Sequence, residues 1–305
     1  MTVYNLKKSA FCFRGILSAL LAILIWSTMG TTVKLTLSNV DSFTTTFYVT
    51  LLSTCILGIY IVMQKKLPIL YKEWKNQQFF FIIAGIMGSG IQPISCLKGY
   101  QLLPASQVVG IFYIYPLLMT LFAGFWFHER LSYKSILLLM TGFVGVYLLI
   151  TQNQLLSIQL NFGAFATFIA AATWAFFCVL IQHKKFDAHV GIFLFNGFGM
   201  LFLLGLVPAF GLTWTLSITE WLGIIYLAVF TSIIATLLWN QALHLNSTQI
   251  CSMLALLTPL FALILNMTIL HESIVPTQLM GFVILIGSVA FNLSGCLRLQ
   301  HISGK

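Results

Sequence analysis

The 15 basic and 6 acidic side chains of this 305-residue chain are so sparse that they divide it into long stretches without charge. Charge-free intervals run Gly15–Val33, Ser42–Gln64, Asn76–Leu97, Gly99–Phe127, Ser135–His183, Ala188–Thr219, Trp221–His271 and Ser273–Leu297. A helix needs about 20 mostly apolar residues to cross the hydrocarbon of a bilayer. Six intervals hold one such helix each. Ser135–His183 and Trp221–His271 are double length and break at polar runs, the first from Thr151 to Asn161 and the second around Asn240–Gln241 and Asn246–Gln249. The expected fold class is therefore an all-α polytopic membrane protein with ten transmembrane helices. With 59% hydrophobic and 7% charged residues, against roughly 25% charged in soluble domains, the chain cannot clothe a water-facing surface.

Orientation follows from lysine and arginine, which accumulate in cytoplasmic loops. Ten spans with a cytoplasmic N-terminus place Lys7, Lys8, Arg14, Lys65, Lys66, Lys72, Lys75, Arg130, Lys134, Lys184, Lys185, Arg298 and Lys305 inside, leaving Lys34 and Lys98 outside. Both termini are expected in the cytoplasm. The net charge of +9 is thus topological, spread over short loops, and does not point to nucleic acid. No cleavable signal peptide is expected, because the first apolar segment is full length. The six cysteines lack metal-ligand spacing and read as small hydrophobes rather than disulfide partners.

The two halves echo each other. Gly15 and Trp26 recur 148 residues later as Gly163 and Trp174; Pro116-Leu117 and His128-Glu129 recur 143 residues later as Pro259-Leu260 and His271-Glu272. The change of offset fits a longer loop at 65–78 than at 211–220. The expected units are residues 1–152 and 153–305, five helices each. Five is odd, so the second unit enters from the opposite side and the repeats are inverted, a recurrent basis for alternating access around a midplane site.

These features resemble the drug/metabolite transporter superfamily, specifically EamA-like transporters. The likeness rests on the Trp followed by a basic residue (Trp26 and Lys34; Trp174 and Lys184-Lys185), Pro116 and Pro259, Glu129 and Glu272, and the glycines of each fifth helix (Gly142, Gly145; Gly281, Gly287). The arginine that members often carry in the second helix, near Tyr48 here, is absent. The resemblance implies export or exchange of amino acids, related metabolites or drugs. It also implies a cavity lined by helices one, three, four, six, eight and nine.

Candidate substrate-binding residues follow. Trp26 and Trp174 lie mid-helix, away from the interfaces where Trp collects; they either line the pathway or pack between repeats. Gln92, with Ser95 near it, is the foremost polar candidate, since a mid-membrane amide is costly unless paired or wet. Tyr113 stands beside the kink expected at Pro116; Tyr115 points to another face and Tyr100 to the interface. Trp239, Asn240 and Gln241 match Cys96, Leu97 and Lys98 by the 143-residue offset. They either hydrogen-bond a zwitterion or reach for headgroups. Lys34 is an interfacial anchor or a carboxylate partner.

His128-Glu129 and His271-Glu272 do not continue as HExxH, and no metal or other cofactor is expected. The acids Asp41, Glu73, Glu129, Asp187, Glu220 and Glu272 all fall at span ends. That argues against a carboxylate-driven proton pump and for facilitated or exchange transport, or coupling at the rim. No nucleophile–base set supports an enzyme. The expected partners are a small-molecule substrate and the lipid bilayer, with the chain acting as a monomer in a bacterial inner membrane. Two alternatives stay open: a nucleotide-sugar or phosphorylated-metabolite antiporter, which needs interior cations, and a membrane enzyme or receptor.

Overall fold

A computed structural model describes residues 12–37, 39–103, 105–129, 133–151, 161–270 and 275–303. Every regular element among them is helical: α1 (Phe13–Ser27), α2 (Met29–Thr36), α3 (Ser42–Met63), α4 (Leu67–Gly85), α5 (Gln92–Leu102), α6 (Ala105–Phe112), α7 (Tyr115–Phe127), α8 (Tyr133–Thr151), α9 (Phe162–Gln182), α10 (Ala188–Phe210), α11 (Ile218–Tyr226), α12 (Thr236–Leu245), α13 (Thr248–Ala255), α14 (Thr258–Leu270) and α15 (Pro276–Ser303). Wider π-helical segments join α4 to α5 (Ile86–Ile91) and α11 to α12 (Leu227–Ala235). Seven continuous stretches are long and apolar enough to cross a membrane, and Tyr115–Phe127, Ile136–Leu148 and Pro276–Phe291 are shorter apolar helices. Helices are what such a sequence must form, because hydrocarbon offers no partner to an open backbone group.

Polar residues set the helix ends. Asp41 accepts from Thr44 N at 2.8 Å to start α3, and Asp187 caps α10 in the same way through His189 N and Val190 N, each at 3.1 Å. Ser217 and Glu220 form a reciprocal capping box on α11, satisfying two otherwise orphaned donors. Left-handed residues stop α3 at Lys65 and α7 at His128, and Gly211 at φ 72° ends α10.

Each helix separates an outer face from an inner one. On α1 the stripe Gly15, Ala19, Ala22 is buried while Phe13, Leu17, Leu21 and Leu24 are exposed on the face left for lipid. The halves then pack with a repeated logic. α12 lies on α1 and α5 on α9; α14 meets α1 and α7 meets α9; α8 runs along α15. Small residues permit the approach, since helix association in lipid relies on close contact rather than on a hydrophobic drive. A Cβ on Gly15 would fall 2.2 Å from Asn246 Nδ2 and 2.8 Å from Leu245 Cβ, while one on Gly163 would meet Leu103 Cγ at 2.8 Å and Leu102 Cβ at 2.9 Å. Leu102 and Leu103 stand 143 residues before Leu245 and Asn246. Gly145 backs onto the Gly281 carbonyl, 2.9 Å from its would-be Cβ, at the α8–α15 contact.

The irregularities repeat too. Positions 86–91 map to 229–234, inside the second π segment, and the α6–α7 break at Tyr113–Ile114 maps onto the α13–α14 break at Leu256–Leu257. α1 departs from its counterpart: it breaks at Thr28, whereas α9 runs unbroken.

Candidate functional site at the helix breaks

Proline explains the paired breaks. Pro116 and Pro259 have no amide hydrogen, so the carbonyls four residues earlier, on Phe112 and Ala255, lose their helical donor. In α13–α14 the Thr258 hydroxyl replaces it, donating to Ala255 O at 2.8 Å. The Thr258 side chain also interacts with the Tyr113 hydroxyl. In α6–α7 the Leu117 and Leu118 amides both turn to Ile114 O, at 3.1 Å, which leaves the Tyr113 carbonyl without its usual helical amide. The two breaks thus meet through Tyr113 and Thr258.

The α1 break has the same design. Thr28 Oγ1 donates to Ile25 O at 2.7 Å and lies 2.6 Å from the Tyr226 hydroxyl, which is therefore the donor to Thr28. Each relay joins a tyrosine of one half to a threonine at a break in the other.

Beside these breaks lie three indoles. Trp26 contacts Trp174 and Trp239 edge-on, both at 5.5 Å between centroids, and Trp174 stacks on Phe177 at 5.3 Å. A buried indole N–H needs an acceptor, and each has one. Trp26 Nε1 donates to the Thr231 carbonyl at 3.2 Å, within the second π segment, where Thr236 Oγ1 reaches the same oxygen at 3.3 Å. Trp174 interacts with the Tyr115 hydroxyl, and Trp239 donates to Cys178 Sγ at 3.3 Å. Trp26 and Trp174 therefore tie the halves together reciprocally. Both are half-buried on the inner stripes of α1 and α9, whereas Trp239 is fully buried.

Gln92 follows the first π segment on the stripe of Cys96 and Gly99, the buried side of α5. It is half-buried and forms no hydrogen bond among the described residues. Gly88, one turn earlier, would place a Cβ 2.5 Å from the Phe177 ring. Cys96, one turn later, is buried. Gln92 thus lies one turn from the point where α5's entry meets Phe177, the ring that stacks on Trp174. Asn196 of α10 contributes a second amide: its Oδ1 takes a 3.4 Å contact from Ser232 of the second π segment, and its Nδ2 is buried without a partner.

The remaining candidates lie apart from this centre. Ser95 is half-buried on the side of α5 that carries Lys98, whose Nζ lies 3.4 Å from Gln101 Oε1. Gln241 is engaged at the α1–α12 contact: its oxygen accepts from Arg14 Nε and Nη2 at 3.1 Å and its amide donates to Ser18 Oγ at 2.9 Å. Asn240 is buried, and its Oδ1 has no partner among the described residues. The side chain of Lys34 and the residues His271 and Glu272 lie outside the described residues. No cluster of metal-ligating side chains occurs among the described residues.

Sequence reasoning missed the π segments, Thr28, Thr231, Tyr226 and Thr258. The first π segment carries a faint signal in Gly85, Gly88 and Gly90; the second carries none. It also missed a polar cluster where α7, α9 and α13 converge. There His183 Nε2 meets Glu129 Oε1 at 3.1 Å, Thr248 contacts both Glu129 (3.0 Å) and Gln182, and Gln182 Nε2 donates to Asn246 O at 3.0 Å.

Comparison with known proteins matches the chain twice to a model described as the EamA-like transporter family, over residues 13–151 and 161–294. Protein PecM of Dickeya dadantii (strain 3937) is 28% identical over 253 residues, covering 81% of this chain and 80% of that protein. An uncharacterized transporter of Bacillus subtilis (strain 168), YxxF, is 23% identical over 199 residues, covering 64% of each. A solved structure titled "Crystal structure of protein" superposes with a TM-score of 0.76 at 20% identity, covering 93% of this chain and 98% of that one. At that identity it speaks for the fold.

Proposed function

Given that the chain belongs to the EamA-like transporter family and is a multi-pass membrane protein, we propose that it moves small organic metabolites, such as amino acids, related compounds or drugs, by alternating access as an exporter or exchanger. One observation carries this: two helix breaks at matched positions, 113–114 and 256–257, meet beside the Trp26–Trp174 pair. Open backbone at membrane depth is tolerated where protein buries it or where it lines a water-filled cavity, and broken helices flank the substrate in many carriers.

On this reading there are ten spans. α1–α2 form the first, each π segment lies inside a bent span, and the shorter helices Tyr115–Phe127, Ile136–Leu148 and Pro276–Phe291 belong to the fourth, fifth and tenth. Residues 1–152 and 153–305 are inverted units, both termini are cytoplasmic, and the chain works as a monomer in a bacterial inner membrane. Trp26, Trp174, Tyr113 and Gln92 face the substrate. Ser95, Lys98 and Lys34 lie toward the outer rim, and Trp239, Asn240 and Gln241 toward the inner one. An aromatic centre with an amide suits uncharged or zwitterionic amphipathic molecules, and Trp and Tyr faces also accept cations.

The test is counterflow in proteoliposomes over amino acids, nucleosides, quaternary amines and sugar phosphates. Uptake of a neutral or zwitterionic compound is expected, with Q92A and W174A each lowering it about tenfold or more while the protein stays folded, about 1.4 kcal/mol or more of lost binding. Uptake confined to sugar phosphates would favour the antiporter alternative, and no uptake of any class would sink the transport reading.

A further inference from the structure

We infer that His183 and Glu129 form a proton-binding site that latches one end of the bundle, the end where α1 begins. His183 closes α9 and Glu129 follows α7, so the pair joins the two halves. Nδ1 of His183 lies 2.9 Å from the Val179 carbonyl. A carbonyl only accepts, so Nδ1 carries a hydrogen. Nε2 lies 3.1 Å from Glu129 Oε1. A neutral ring protonated on Nδ1 would point its Nε2 lone pair at a carboxylate oxygen, and that contact is repulsive. It closes when one further proton is held, as imidazolium with carboxylate or as imidazole with carboxylic acid.

Thr248 does not supply that proton. Gln182 spends its Nε2 on the Asn246 carbonyl and so turns its oxygen to Thr248. The single hydrogen of Thr248 cannot serve both that oxygen and Glu129 Oε1, 3.0 Å away, and neither arrangement places a hydrogen between Nε2 and Oε1. Phe127 stacks on the His183 ring at 3.8 Å and 13° and fixes its orientation.

Other charged or titratable groups lie at the same end of the bundle. Lys184 and Lys185 follow His183, and Lys184 lies over the Phe80 ring at 6.0 Å. His128 precedes Glu129, and Arg14 of α1 is held by Gln241. His244 of α12 meets Phe186 edge-on, and Lys66 is paired with Asp187. Lys134 at the start of α8 lies over the Phe291 ring; Arg130 lies outside the described residues.

The counterpart positions at the opposite end cannot repeat the device. By the same offsets His183 corresponds to Leu35, Gln182 to Lys34 and Thr248 to Ala105. Service as a gate rests on the transport reading; the titration does not, and its test needs no substrate. Backbone hydrogen–deuterium exchange of the full-length protein in nanodiscs is compared between about pH 5 and 8, where histidine charge changes, with intrinsic rates corrected. In the wild type, exchange at 181–185 and 246–250 should rise with pH by up to about tenfold per unit, the limit for one proton, while 211–217 stays level. E129Q supplies a hydrogen that cannot titrate and should stay protected throughout, and H183Q offers the same check should E129Q fail to fold. Wild-type protection that ignores pH, or undiminished pH dependence in the variants, would overturn the latch. Correct exchange behaviour without transport would count against the transport reading instead.

Discussion

At the end where α1 begins, Asp187 caps α10 and takes an ammonium from Lys66 at 2.8 Å. At the opposite end Asp41 caps α3 in the same way and, among the described residues, its other oxygen meets a hydroxyl, Thr213 Oγ1 at 3.2 Å. The contrast continues around each rim. Gln182, His183, Thr248 and Asn246 interlock with Glu129 at the first end, where their counterparts are Lys34, Leu35, Ala105 and Leu103. Duplication copied the backbone, with its breaks and π segments, but left the polar links unequal. Unequal polar links mean that the two ends need not have the same stability.

The largest expected effect comes from the matched glycines. G15A drives a methyl group at Asn246, which is fully buried and pinned by bonds to Cys12 N and Ala242 O, and should cost about 3 kcal/mol. G163A meets Leu103 Cγ, which can rotate away, and Leu102 Cβ, which cannot, and should cost about 2 kcal/mol. Unfolding in mixed micelles measures both, and equal costs would break the comparison.

Next come the caps. D41A should cost about 1 kcal/mol for the lost cap, and D187A about 2 kcal/mol, because it also strands Lys66 from its partly exposed ion pair. If both lose the same amount, the Lys66 pair contributes nothing.

Acid gives a smaller change. Burial opposes ionisation of Asp187, but hydrogen bonds from Lys66 and Val190 N–H, with the Lys66 charge, outweigh it and hold the carboxyl below its usual range. A carboxyl depressed in the folded state stabilises above its unfolded value of about 3.9, and that share fades as pH falls through the folded value. The wild-type melting temperature should therefore drop below about pH 4, and D187N should flatten that step.

The smallest effect comes from building the missing pair. T213K offers Asp41 an ammonium and should gain at most about 0.5 kcal/mol, an increment that disappears in high salt.

Much of this scaffold was legible beforehand. Charge-free intervals announce spanning helices because lipid tolerates few charges, and Trp26, Trp174, Pro116 and Pro259 announce the repeat through their spacing. Tyr113 was legible as the neighbour of a proline break, though its partner Thr258 was not. Gln92 stood out because a lone amide in a hydrocarbon-length segment demands a reason. Gln241 looked equally polar, yet its use depends on Arg14 and Ser18 of another helix, which spacing cannot reveal. Glu129 read as a duplicated helix end, for nothing local announces His183 as its partner.

From the sequence alone came the solvent of this protein, its helical class, its duplication and its family resemblance, because each depends on residue type and spacing along one chain. Tertiary structure alone decided which indole meets which carbonyl, where a π turn frees an oxygen, and which end is laced with polar contacts between the halves. Hydrogen bonds between distant segments exist only once helices are packed side by side, and the same polar residue is a helix cap, a latch or a substrate contact according to what lies opposite.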